Sequence, residues 1–208
     1  KHLGEQAVEL EARQEAQPDA TCLPKVGIED VPTELIIPTG QPGTLNAIPS
    51  TWYDAGTNGL VYARIVTPLD ALSAEQLAYL PLFCDVLTEV GAADRDYRAN
   101  QGHQAAVVGG IDASFSVRGG LHNADHATGY FVLASKALAR NQGHLAQLLV
   151  DTLANPRFDE PGRIRELMAQ FRVMEESRVT DSGHSLALSA ANHGLSLPGT
   201  LNEQWSGL

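Results

Sequence analysis

The run His122-Asn123-Ala124-Asp125-His126 gathers residue types that do zinc chemistry. It imitates H-x-x-E-H, in which two histidines hold the metal and a glutamate handles the proton of the metal-bound water. That chemistry needs both His on one helix face, one turn apart, and a carboxylate long enough to reach the water. Here Gly119-Gly120 precede the run and Gly129 follows it, between two strand-like segments, so the context predicts a hairpin loop. In an extended chain, residues four apart lie roughly 13 Å from each other. Two ligands of one zinc each sit about 2 Å from it. Asp125 is also one methylene shorter than the glutamate of the signature. The favoured reading is a solvated polar loop. A small zinc enzyme built on His122 and His126 stays open only through a tight turn that brings both rings together.

Other candidates are weaker. His2-Leu3-Gly4-Glu5-Gln6 has Gln where a second His is needed. His103, His144, His184 and His193 share no ligand spacing; His144 and His193 are expected at the surface. Gly109-Gly110 precedes a strand, whereas a phosphate-binding fingerprint follows a strand and opens a helix. There is no G-x-S-x-G nucleophile elbow. Glu89 and Asp94 flank the end of an apolar helix and resemble a carboxylate pair, but solvated charges beside Arg95 are the simpler reading. No catalytic and no metal-binding residue is therefore expected, and no residue is singled out for substrate binding.

The elements that would position any site are legible in the stretch Ser73–Tyr97. Ser73 with Gln76 has capping-box spacing, and Leu72 with Leu77 can close a hydrophobic staple. Leu77, Leu80, Cys84 and Leu87 recur at helical intervals, with Phe83 and Val90 beside them. This predicts one buried helix, bent at Pro81 and ended by a left-handed Gly91; Tyr97 opens a second, shorter one. Leu80 and Leu87 are expected in the core.

Upstream, residues 1–16 read as a charged helix whose stripe of Leu3, Ala7 and Leu10 is too narrow to fold alone. Five prolines between residues 17 and 44 mark a connector with a short strand at Glu34–Ile37, and the boundary is placed after residue 38. Strands are expected at Leu45–Ser50, Val61–Thr67, Ile111–Arg118 and Gly129–Leu138, with a Gly/Asn turn at 54–59. Asn141 caps a helix with the stripe Leu145, Leu148, Leu149 and Leu153, stopped by Asn155-Pro156. The next starts near Asp159, carries Ile164, Leu167, Met168, Phe171 and Met174, and has Gly183 as its weak point. A last helix begins near Pro198 with Leu201, Trp205 and Leu208. Antiparallel strands with helices on one face give an α+β fold, with residues 1–38 as a linker stub and 39–208 as the domain.

Composition narrows the function. Of 208 residues, 25 are acidic and 14 basic, for a net charge of −11. Nucleic acid needs clustered cations and is disfavoured; cationic peptides would feel a weak, salt-sensitive attraction. No apolar run approaches the roughly 20 residues of a membrane helix. Cys22 and Cys84 are too few for a disulfide scaffold; Cys84 is expected as a buried core residue, a bridge between the two stays open, and a reduced compartment is simpler. No leader pattern is visible and Lys1 enters mid-helix, so the chain reads as a piece of a longer protein.

Leu80–Tyr97 (LPLFCDVLTEVGAADRDY) resembles the third domain of the presequence-protease branch of the insulinase-like zinc metallopeptidases. Thr21–Pro24 with Val26–Pro32 resembles the end of that branch's helical-hairpin linker, Thr57–Leu60 the start of a core strand, and Gly109-Gly110-Ile111 the double glycine before the next strand. The resemblance covers nearly the whole chain, in order. It implies a parent enzyme that degrades short unstructured peptides with zinc held by the first domain, in the cytoplasm or an organelle matrix. The Arg and Tyr that assist substrate binding lie in the fourth domain and map onto no residue here. This chain would then be a non-catalytic wall of the peptide chamber, inactive alone, with the other domains and peptide substrates as its partners. The competing reading is a stand-alone scaffold of the same fold. As a cut-out domain it would leave the stripe of Leu3, Ala7 and Leu10 and the terminal Leu201, Trp205 and Leu208 without packing partners.

Overall fold

A computed structural model of the chain describes residues 2–15, 23–34 and 37–206. Two units each fold on themselves, Lys1–Ala55 and Gly56–Leu208. In the first, the charged N-terminal run forms α1 (His2–Glu15). Val8 and Leu10 are exposed on it. A single 3-10 turn at Ile28–Asp30 precedes a hairpin of β1 (Gln41–Leu45) and β2 (Ile48–Trp52). This corrects the expectation of one strand from Leu45 to Ser50, because those residues straddle the turn. Asn46 and Ala47 both have positive φ, 48° and 66°, as a two-residue type I′ turn requires. Ala in place of the usual Gly, with Pro42 and Pro49 in the strands, hides the hairpin signal. The strand expected at Glu34–Ile37 centres on residues 35–36 and lies outside the described residues, as do Cys22 and Leu208.

The second unit runs β3 (Leu60–Pro68), α2 (Ala74–Ala78), α3 (Leu80–Leu87), β4 (Gly91–Ala92), α4 (Tyr97–Val107), β5 (Ile111–Gly119), β6 (Ala127–Leu138), α5 (Gln142–Ala154), β7 (Pro156–Arg157), α6 (Pro161–Asp181), α7 (Gly183–Asn192) and α8 (Leu197–Ser206). The main sheet has the order β3-β6-β5, antiparallel throughout. Ile65 and Ala113 both face Leu133 across the ladders, and Phe115 faces Phe131. Because side chains alternate, this row forms one apolar face. It packs with Leu80, Cys84 and Leu87 of α3 and Leu145 and Leu149 of α5 into one core. The fold is therefore the expected α+β arrangement, with the helical core on one side of the sheet.

Ser73 caps α2 as its spacing predicts: Gln76 N–H donates to Ser73 Oγ at 3.2 Å, and Ser73 N–H to Gln76 Oε1 at 2.9 Å. The helix expected to run on to Gly91 instead divides into α2 and α3 at Tyr79. Pro81 lacks the N–H that would reach the Leu77 carbonyl, and its ring crowds that turn. It sits instead in the first turn of α3, where proline is tolerated. Gly91 is not a left-handed cap. It is buried in β4, paired with Arg157 of β7.

Two further expectations change. Asn141 occupies the cap position of α5 but its side chain does not cap; its amide donates to the Val107 carbonyl at 3.1 Å. The terminal helix α8 is not left without packing. Trp205 meets Phe115 edge-on, ring centroids 4.8 Å apart, and its indole N–H bonds Leu77 O. α6 and α7 part at Ser182, beside the predicted weak point Gly183. Of the α6 stripe, Leu167 is buried with Val86 and Val90, while Met168 and Met174 face outward.

Candidate functional site

His122 and His126 lie on the loop joining β5 to β6. Gly120 N–H donates to His126 O at 2.8 Å, and His126 N–H to Asn123 O at 3.2 Å, closing a tight turn. Asn123 Oδ1 accepts from Asp125 N–H, so its side chain serves the loop backbone. The two His therefore lack the common helix face that the zinc signature needs. Among the described residues, no group of three or more His, Cys, Asp or Glu side chains is placed to hold a metal ion. The residues present do not fit a zinc site. The loop is also tied to α8, through Leu197 N–H donating to Ala124 O.

Glu89 and Asp94 do not form a pair, and Glu89 is not a solvated charge beside Arg95. Its carboxylate takes Arg163 at 2.7 Å and the Gln101 amide at 2.9 Å. The Arg163 guanidinium also stacks over the Tyr97 ring, 4.8 Å from its centroid. Asp94 is fully open to solvent, with only a loose 3.8 Å contact to Arg95. Arg95 instead reaches inward to Asp151 at 2.6 Å. Gln147 donates to the other Asp151 oxygen at 2.7 Å. Burial pushes the Asp151 carboxyl up, but the hydrogen bonds from Arg95 and Gln147 and the Arg95 charge outweigh it and hold it below the usual carboxylate range. Glu160 caps both ends of the same turn, accepting from Gly91 N–H at 3.0 Å and Tyr97 N–H at 3.2 Å. This hub is structural: each charge in it ends on a protein partner.

Cys84 is buried on α3, as its place on the apolar face predicts. Burial, then the charges of Asp85 and Asp112, push its thiol up to about 12. Asp85, Glu89 and Asp112 line a depression between α3, α6 and β5. Burial and the nearby Glu175 charge push the Asp85 carboxyl up.

The opposite face of the main sheet carries a second cleft. Here the outward side chains are Tyr62, Arg64 and Val66 of β3, Val132, Ala134 and Lys136 of β6, and Asp112 of β5. Tyr62 lies opposite Lys136, and Ala134 stands between Arg64 and Asp112. Ala134 offers only a methyl group, so the longer chains around it leave a cleft of about 260 Å³. Gly110 at its rim has φ 131°, a conformation an L side chain rarely adopts. Its carbonyl accepts from Ser135 Oγ at 2.7 Å, fixing the rim to the central strand. Sequence reasoning marked β5 as having one wet face but gave Arg64 and Lys136 no role. The available signal was a pair of cations at alternate positions of two strands in an acidic chain.

Residues 1–208 match the model of a family described as associated with peptidases of family M16, subfamily C. A "Presequence protease, mitochondrial" of Danio rerio is 31% identical over 210 residues, covering 100% of this chain and 20% of that protein. One of Xenopus tropicalis is 29% identical over 208 residues, with 100% and 20% covered. "Presequence protease 1, chloroplastic/mitochondrial" of Arabidopsis thaliana is 28% identical over 206 residues, with 96% and 19% covered. The chain thus spans about a fifth of the length of the curated relatives it matches. The order of motifs from Thr21 to Ile111 and this match agree: the chain belongs to the associated-domain family of the subfamily C peptidases of family M16.

Proposed function

We propose that the chain is a non-catalytic domain of a zinc metalloendopeptidase that degrades short unstructured peptides. It forms part of the wall of the peptide chamber and supports the neighbouring domain. The other domains of the same polypeptide supply the zinc and its ligands. The setting is an organelle matrix, in keeping with relatives named for mitochondria and chloroplasts. One observation carries this reading: the whole chain aligns within presequence proteases of which it makes up about a fifth. The open sheet face supports a wall role, because it leaves one broad side of the domain for a neighbour or a peptide. A scaffold without peptidase activity is the second reading, favoured by the closure of α8 onto the domain's own core through Trp205. The exposed Val8 and Leu10 of α1 count against it.

The test is reconstitution. The 208-residue chain is mixed with the parent protease expressed without this segment, and cleavage of an unstructured peptide is followed. The proposal expects cleavage from the mixture and none from the chain alone. Cleavage by the chain alone, or no gain on mixing, contradicts it.

A further inference from the structure

We propose that the open face of the β3-β6-β5 sheet is a docking surface for an extended peptide segment, with an apolar side chain over Val66 and Val132 and a carboxylate between Arg64 and Lys136. This rests on the chain's reading as part of a peptidase and goes further, since it assigns a face and a chemistry.

The register supplies the geometry. Arg64 pairs with Ala134, so Lys136, two residues along β6, is its diagonal neighbour on the same face. Such diagonal positions lie about 7–8 Å apart, a gap that two long flexible cations can close on one carboxylate. Val66 pairs with Val132 in the next row, directly beside Arg64. Tyr62 and Val66 are 58% and 54% exposed, which leaves an apolar strip open next to the cations. Ala134 and Gly110 keep the floor low, and the cleft they define is about 260 Å³.

Charge supplies the second argument. The chain is strongly acidic, at −11. Arg13, Arg95, Arg157, Arg163, Arg172 and Arg178 all hold carboxylates. Among the described residues, Arg64 and Lys136 hold none, although they stand within two positions of each other. Asp112 lies beyond Ala134, two strands from Arg64 and so roughly 9.5 Å away. It bounds the cleft on the third side and would favour the amide or amino side of the segment over a second carboxylate. Apolar contact beside paired cations complements a peptide bearing Glu or Asp next to Leu, Val or Phe. The whole-chain field draws cationic peptides, so a preference for a carboxylate must come from this face.

The test uses three fluorescein-labelled peptides with the same Leu-Phe-Leu centre, flanked by Glu, Gln or Arg, with fluorescence anisotropy as the readout. The chain should bind the Glu-flanked peptide about tenfold more tightly than the Gln-flanked one, as for a desolvated charge-assisted contact. Arg64→Gln with Lys136→Gln should erase that ratio, while Arg172→Gln on α6 should leave it unchanged. Melting curves establish that each variant is folded. Equal binding of the Glu and Gln peptides, binding of neither, or a ratio that survives the double variant overturns the proposal. So does a dimer in sedimentation that Val66→Glu dissolves, because the face would then serve a second copy. A chain that reconstitutes peptidase activity yet shows no ratio sinks the docking face alone and leaves the domain's place in the enzyme intact.

Discussion

The indole Nε1–H of Trp205 donates to the carbonyl oxygen of Leu77 at 2.8 Å, across 128 residues of sequence. Pro81, four residues after Leu77, has no N–H to offer that carbonyl. The last helix thus supplies the donor that the break between α2 and α3 removes. Trp205→Phe keeps a ring against Phe115 and deletes only the donor, so it should cost about 1 kcal/mol in chemical denaturation. In a Pro81→Ala background, with a backbone donor restored, the same change should cost less. An equal loss in both backgrounds would show that the two residues are not coupled.

Leu87 is 2% exposed at the centre of the core. Leu87→Ala should destabilise the chain by about 2–5 kcal/mol through lost transfer energy and a residual cavity. A loss under about 0.5 kcal/mol is what surface positions give and would place α3 outside the core.

Much of the α3 region was legible because its signals are local. Ser73 and Gln76 lie three residues apart, and the stripe through Leu80, Cys84 and Leu87 repeats within one helix. Gly91 was misread for the same reason. A glycine after a helix looks like a cap, but its conformation is set by β7, more than sixty residues on. Arg95 finds Asp151 and Trp205 finds Leu77 only through the fold. The open-face cleft was half legible: alternation revealed a wet side to β5, while the meeting of Arg64 and Lys136 depends on strand register.

The Arg95–Asp151 pair should make stability fall in acid. Asp151 has a depressed carboxyl, so its contribution is fully present above the unfolded value near 4 and is lost as pH falls through its lower folded value. Burial, Arg95 and His144 hold the His103 imidazole down against the Asp151 charge. That adds a loss beginning below about 6.5, where an unfolded histidine gains a proton. Asp151→Asn should lower stability at pH 7 by about 2 kcal/mol and flatten the denaturation midpoint below pH 5. The decline between pH 6.5 and 5 should remain. An unaltered acid slope would assign the effect to other carboxylates.

Cys84 should be inert in the native chain. With its thiol pushed up to about 12 by burial and by Asp85 and Asp112, almost none is thiolate at pH 8. An aromatic disulfide reagent should label it only in denaturant. Rapid labelling of the native Cys84 at pH 8 would mean that α3 opens readily.

The most direct measurement is zinc content by mass spectrometry, paired with peptide cleavage, on the purified 208-residue chain and its His122→Ala/His126→Ala variant. A non-catalytic domain should carry no stoichiometric zinc, cleave nothing, and be unaffected by the double substitution. One zinc per chain with cleavage, both lost when His122 and His126 are replaced, would contradict the account and make the β5–β6 loop an active site.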